Sequence, residues 1–190
     1  LRAEGRRAYG YAFDIAEPAE VARNVAAIEQ EAGPVDILFN NAGIQVRHPL
    51  EEFPEEEWDR IMRVNLTGVF LVSKCVARGM IERRRGKIVH ICSVQSELCR
   101  PTITPYAASK GGLKMLVRGM ATEWGKHNIQ VNGLGPGYFI TDMTRPLVDD
   151  EQFNAWLCAR TPASSGLHTG TGYSRIRKCA SVPGQPASPK

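Results

Sequence analysis

The sequence predicts an α/β fold built on a parallel sheet, and three observations predict it. Short apolar runs alternate with longer stretches of helical period, the pattern of repeated β-α-β units. The apolar runs end in polar or turn-forming residues: Asp14, Asn40-Asn41, Ser93 and Pro136-Gly137. Parallel sheets bind ligands beyond the carboxyl ends of their strands, so four separate segments point at one crevice.

Taken in order, residues 8–13 read as a short strand ending at Asp14. From Glu17 to Ala32 the period is helical: Pro18 suits a first turn, Val21, Val25 and Ile28 form a stripe, and Gly33-Pro34 stops it. Residues 35–39 form a buried strand. A helix starts at Glu55 and runs on past Asn65 to Met80. The strand over 87–92 delivers Ser93 at its end. Pro105 to Lys126 is a long helix with Leu113, Leu116, Val117 and Met120 on one side. The strand over 129–134 runs into the turn Gly135-Pro136-Gly137, and Met143 to Trp156 reads as lid helices with a break at Pro146. Residues 164–190 have three prolines, few aliphatics and no apolar period, so a disordered tail follows a domain over 1–163.

Composition narrows the function classes. With 190 residues, 43% hydrophobic and 23% charged, the chain can bury one core. A net charge of +4 is too mild for a nucleic-acid binder, and Arg83-Arg84-Arg85 reads as a solvated helix end. No apolar run approaches the ~18 residues that span a bilayer. Five cysteines without C-x-x-C, and histidines that do not cluster near them, indicate neither a disulfide framework nor a metal site. Free thiols in a reducing cytoplasm are expected. The chain opens on Leu1, which predicts that residues precede it in the natural protein.

The chemistry lies in Ser93, Tyr106 and Lys110. Tyr106 and Lys110 are four apart and share a helix face. An ammonium beside a phenol favours tyrosinate and is expected to pull Tyr106 down from about 10. With a strand-end hydroxyl beside it, the pair can exchange a proton with a carbonyl oxygen. Plainer readings stand alongside. Tyr106 and Lys110 could be surface neighbours, Asp14 a helix N-cap, and Asn40 an amide bridging buried backbone groups.

Together these residues resemble the short-chain dehydrogenase/reductase family. The resemblance rests on Asn40-Asn41-Ala42-Gly43, Val64-Asn65, Ser93, Tyr106-x-x-x-Lys110, and Pro136-Gly137 followed by Thr141. It implies an incomplete doubly wound, Rossmann-like sheet with helices on both faces, and an oxidoreductase using NAD or NADP. Tyr106 would be the general acid/base, Ser93 would polarise the carbonyl, Lys110 would hold the nicotinamide ribose, and Asn65 would link Lys110 to solvent through a water. Asp14 and Ile15 would contact the adenine. Asn41, Ala42 and Gly43 would lie beside its ribose, and Pro136, Gly137, Phe139 and Thr141 around the nicotinamide.

The stretches over 91–98, 120–126, 136–139 and 153–162 resemble members acting on sugar acids, which implies D-gluconate or its 5-keto form as the small-molecule partner. Arg47 or Arg100 would bind the carboxylate, and Gln95, Glu97 and Tyr138 hydroxyls. The alternatives are an inactive fragment that lacks cofactor binding, or a dehydrogenase of another polyol or alcohol. The family's glycine-rich phosphate loop, Thr-Gly-x-x-x-Gly-x-Gly, does not occur in the sequence. In the family's strand order, 3-2-1-4-5-6-7, the predicted strands are the third to sixth. Strand 8–13 then lacks a neighbour, and 35–39 and 129–134 have open edges. Family members form homo-oligomers, which the expected tail, resembling a frameshift product, would disturb here.

Overall fold

Residues 1–138, 144–160 and 177–180 are described in the computed structural model. Three parallel strands, β1 (Ile37–Asn40), β2 (Gly86–Ile91) and β3 (Ile129–Gly135), lie in that order, with Asn40 opposite His90 and His90 opposite Gly133. The first crossover contains α2 (Glu55–Met62), a π-helical stretch over Arg63–Gly68 and α3 (Val69–Arg83). The second contains α4 (Thr104–Trp124), and α1 (Pro18–Ala32) precedes β1.

All three long helices share one core. Val21 and Val25 of α1 meet Val69, Val72, Val76 and Met80 of α3, Leu113, Val117 and Met120 of α4, and Ile88, Cys92, Ile129 and Val131 from the sheet. Every step across the sheet goes the same way, and right-handed crossovers taken in one direction put their helices on one face. On the other face Ile37 and Phe39 are 57% and 61% exposed. The three long helices α1, α3 and α4 pack on the core face of the sheet.

Residues 8–13 do not form a strand. An isolated β-segment needs a neighbour to satisfy its N–H and C=O groups, and none lies beside this one. Side chains hold it instead: Tyr11 bonds Glu31, while Phe13 and Ile15 pack against the core. Ile15 fits where Gly68 has no side chain; a Cβ there would come within 2.8 Å of Ile15 Cγ1.

The tail is not wholly unstructured either. Arg177–Ala180 forms β4, antiparallel to β3 with Arg177 opposite Gly135, so the β3 edge expected to be open is paired over these residues. Residues 161–176 and 181–190 lie outside those described. In the lid region, α5 (Arg145–Val148) and α6 (Glu151–Arg160) form as expected, but Pro146 opens α5 rather than breaking a helix. A proline in a first turn forfeits an N–H that has no intrahelical partner.

The triple arginine is more than a solvated helix end. Arg83 donates to the Val35 carbonyl (3.0 Å), Arg84 to the Lys126 carbonyl (3.0 Å), and Arg85 pairs with Asp36 (3.0 Å). These bonds tie helix ends to the starts of β1 and β3. Glu55–Arg83 is long and apolar enough to cross a bilayer by length and composition. Its Ile61, Val69, Val72, Val76 and Met80 are buried in the core, while Trp58 and Phe70 are exposed.

Candidate active site

The carboxyl ends of β1, β2 and β3 open into a cavity of about 490 Å³. Its lining includes Asn41, Gly43, Ser93, Tyr106, Lys110, Pro136 and Gly137, drawn from all three strand ends and the first turns of α4. Three of the four segments singled out in the sequence therefore converge, those at Asn41, Ser93 and Pro136-Gly137; the one at Asp14 does not. α4 starts with Thr104-Pro105, and Tyr106 and Lys110 project one turn apart from its buried side.

Asn65 is fully buried and clamps a neighbouring loop. Its Oδ1 accepts from the Ile44 N–H (2.8 Å), and its Nδ2 donates to the Ile44 carbonyl (2.9 Å) and to Ser109 Oγ (3.1 Å). Ser109 Oγ in turn donates to the Tyr106 carbonyl (2.7 Å). The helix expected to run evenly past Asn65 is π-helical there, a wider turn that recurs at functional sites. Ser109 was not foreseen, although it lies three residues after Tyr106 on the same helix face.

Ser93 sits at the end of β2 in extended conformation, and its hydroxyl accepts from the Gln95 N–H (3.1 Å). The same hydroxyl hydrogen-bonds the Tyr106 phenol and lowers its pKa, but burial dominates and holds Tyr106 above its ordinary value. This corrects the expectation that Lys110 depresses the phenol. The Lys110 ammonium lies 5.8 Å from the phenol ring centre, and its Nζ donates to the Ile91 carbonyl (2.7 Å). Burial also brings Lys110 down to about 8, which weakens the charge that would act on Tyr106.

A second buried network lies beneath. Asn40 Nδ2 donates to Ser73 Oγ (2.9 Å) and approaches His90 Nδ1 (3.3 Å), and Ser73 Oγ donates to the Val69 carbonyl (2.7 Å). Asn40 is thus structural, but it bridges side chains rather than the expected backbone groups. His90 is fully buried, its Nε2 is unpartnered, and burial with nearby Lys110 lowers it to about 4.

The side of the cavity around Arg100 is less satisfied. Arg100 lines it, with its guanidinium 5.5 Å from the Phe153 ring centre and its buried Nε unpartnered. Arg47 is not in the lining, but it lies close enough to Arg100 and Tyr138 to feel both; burial first, then the Arg100 charge, lowers its pKa. Gln45 Nε2 and Gln95 Oε1 are buried without partners, and Gln95 Nε2 reaches the Tyr138 hydroxyl (3.4 Å). Gln45, Ile103, Thr144 and Leu147 were missed; for Gln45 the signal was its place two residues after Gly43.

Asp14 and Ile15 are not brought to this cavity. Asp14 Oδ1 accepts from the Ala16 N–H (2.8 Å), a local turn before α1, and Ile15 packs at Gly68. Ala42 lies between two lining residues. Phe139 and Thr141 fall outside the described residues. No cluster of potential metal ligands occurs among those described.

Comparison with known proteins places this geometry. The family model for short chain dehydrogenases matches residues 1–152. The 5-keto-D-gluconate 5-reductase of Escherichia coli K12 is 58% identical over 164 residues, covering 86% of this chain and 65% of that protein. The gluconate 5-dehydrogenase of Gluconobacter oxydans is 59% identical over 163 residues, 86% of this chain and 64% of its own. A gluconate 5-dehydrogenase from Burkholderia cenocepacia, solved with NADP and tartrate, superposes with a TM-score of 0.84 at 54% identity, over 87% of this chain and 66% of that one. The chain therefore spans about 65% of the length of the curated relatives it matches.

Proposed function

The chain belongs to the short-chain dehydrogenase family, and on that premise we propose that it transfers a hydride between NADP(H) and a secondary alcohol of a sugar acid, D-gluconate or 5-keto-D-gluconate. The observation that carries this reading is the presence of Ser93, Tyr106, Lys110 and Arg100 in one cavity: a proton-transfer set beside a cation fit for a carboxylate.

The residues fit the nicotinamide end of the cofactor on two counts. Gly43 leaves open a surface where a Cβ would stand 3.4 Å from Asn65 Oδ1 and 3.5 Å from Lys110 Nζ. Lys110 uses one hydrogen on Ile91 and keeps others for a ribose hydroxyl. Asn41, Gly43, Lys110, Pro136 and Gly137 would hold that end, and the bound cofactor supplies or accepts the hydride. Raised by burial, the Tyr106 phenol is protonated at neutral pH and can donate to the substrate oxygen as negative charge develops there. Ser93 donates to the same oxygen and, with Tyr106, forms a two-donor oxyanion site. Asn65 and Ser109 fix the first turns of α4 from which Tyr106 and Lys110 project. The carboxylate would pair with Arg100, aided by Arg47, and hydroxyls would reach Gln45, Gln95 and Tyr138.

The test is to follow reduced-cofactor absorbance with NADPH and 5-keto-D-gluconate, and with NADP and D-gluconate, for the chain and its Tyr106→Phe variant. Turnover that the variant loses supports the proposal. No turnover together with no thermal shift on adding NADP would leave a non-catalytic chain that does not bind cofactor.

A further inference from the structure

Arg100 brings its charge to the cavity lining from a loop whose backbone is tied down. Two residues on, Thr102 has a φ of 70°, in the left-handed region, and its carbonyl accepts from the His48 N–H (3.3 Å). That bond sets the loop of Arg100 beside the loop of Arg47, and the two guanidinium groups repel. Among the described residues Glu97 pairs with Lys114, and no ion pair includes either arginine.

The guanidinium of Arg100 meets an aromatic ring instead. It lies 5.5 Å from the centre of the Phe153 ring. Phe153 sits in the first turn of α6, where its N–H donates to Asp150 Oδ1 (2.9 Å), a side-chain cap on the helix start. Its ring meets Tyr138 edge-on, with centres 5.6 Å apart, and Trp156, three residues on, at 5.4 Å. Tyr138 in turn accepts from Gln95 Nε2 (3.4 Å). An aromatic face attracts a cation through its quadrupole, most strongly where water is kept away.

We propose that Phe153 is a positioning residue for anion recognition. Its ring seats the Arg100 guanidinium at the cavity wall, and this seat sets the preference for an anionic substrate over a neutral polyol. Phe153 is not among the lining residues, so it acts through Arg100. Without the ring, repulsion from Arg47 and side-chain entropy favour turning the guanidinium to solvent. The substrate half of the proposal rests on the Arg100 reading given above; the seating of Arg100 does not.

Two measurements test it, on the full chain and its Phe153→Leu, Phe153→Tyr and Arg100→Ala variants. The first reads the guanidinium without substrate. Arginines are labelled with 2,3-butanedione in borate, and peptide mass spectrometry compares Arg100 with the exposed Arg23 and Arg78. Phe153→Leu is expected to speed labelling of Arg100 about 3- to 10-fold, with Arg23 and Arg78 unchanged, and Phe153→Tyr to keep the parent rate. The second is isothermal titration calorimetry with D-gluconate and with neutral D-sorbitol, both in the presence of NADP. Phe153→Leu is expected to weaken gluconate roughly 3- to 10-fold and leave sorbitol unchanged, while Phe153→Tyr keeps the parent affinity. Added to Arg100→Ala, Phe153→Leu is expected to weaken gluconate no further, because the two residues act as one unit. Unchanged labelling of Arg100 in Phe153→Leu would overturn the proposal, as would gluconate weakened no more than sorbitol. Faster labelling, with no gluconate binding even by the parent chain, would uphold the seating of Arg100 and refute the sugar-acid reading of the cavity instead.

Discussion

The two sides of the cavity are built differently. On the proton-transfer side, Asn65, Ser109 and Tyr106 form a chain in which side-chain and backbone groups bond one another, and Lys110 is tied to Ile91. On the substrate side, Gln45, Gln95 and Arg100 each hold a buried polar atom with no protein partner. Buried polar atoms are ordinarily satisfied, so a cluster of exceptions marks where a ligand's atoms belong. On the proposed function, one side is fixed for chemistry and the other is open for recognition. Loss of a group should therefore affect rate and stability on the first side, and apparent affinity on the second.

The strongest way to break this contrast is Tyr106→Phe. It should lower kcat by about 100- to 10,000-fold while leaving the urea midpoint unchanged. Turnover within threefold of the parent chain would remove Tyr106 from the chemistry. Asn65→Ala strips the Ile44 N–H and carbonyl of their partners and should cost about 2–5 kcal/mol by urea unfolding.

His90 sharpens the contrast through pH. Its imidazole is held neutral in the fold, down to about 4 from an ordinary 6.5. The unfolded chain thus binds a proton between those values that the folded chain refuses. The stability this group gives is complete above about 6.5 and is lost as pH falls towards 4, at about 1.4 kcal/mol per unit and about 3 kcal/mol in all. His90→Gln should unfold with a flatter dependence between pH 7 and 4.5, and equal slopes would refute the assignment. The smallest effect is expected on the open side. Arg100→Ala should raise KM for gluconate roughly 10- to 100-fold, with kcat and the urea midpoint little changed.

The sequence was legible where chemistry and period coincide. Ser93, Tyr106 and Lys110 could be read because a strand end and a helix face leave few ways to place them. Helix α1 could be read from Pro18 and Gly33. Other features depend on partners that spacing does not show. Residues 8–13 have the composition of a strand but no neighbour to pair with. The direction of the Tyr106 shift is set by how deeply the phenol is buried, not by the distance in sequence to Lys110. Gln45 enters the site only through the cavity that several segments enclose, and Ser109 through its bond with Asn65 from another helix. The exposure of Ile37 and Phe39 follows from the one-way order of the crossovers, a property of the whole sheet.

Gly68 gives the fold a mechanical weak point. The first fifteen residues have no ladder to hold them, and Ile15 is their peg in a socket one methyl group deep. That socket is the last residue of the π-helical turn that also carries Asn65, so the fastening of the leading segment and the clamp on the Ile44 loop share one stretch of six residues. A side chain as small as alanine at position 68 would push the peg out without touching a reacting group. The leading segment would then be open to proteolysis.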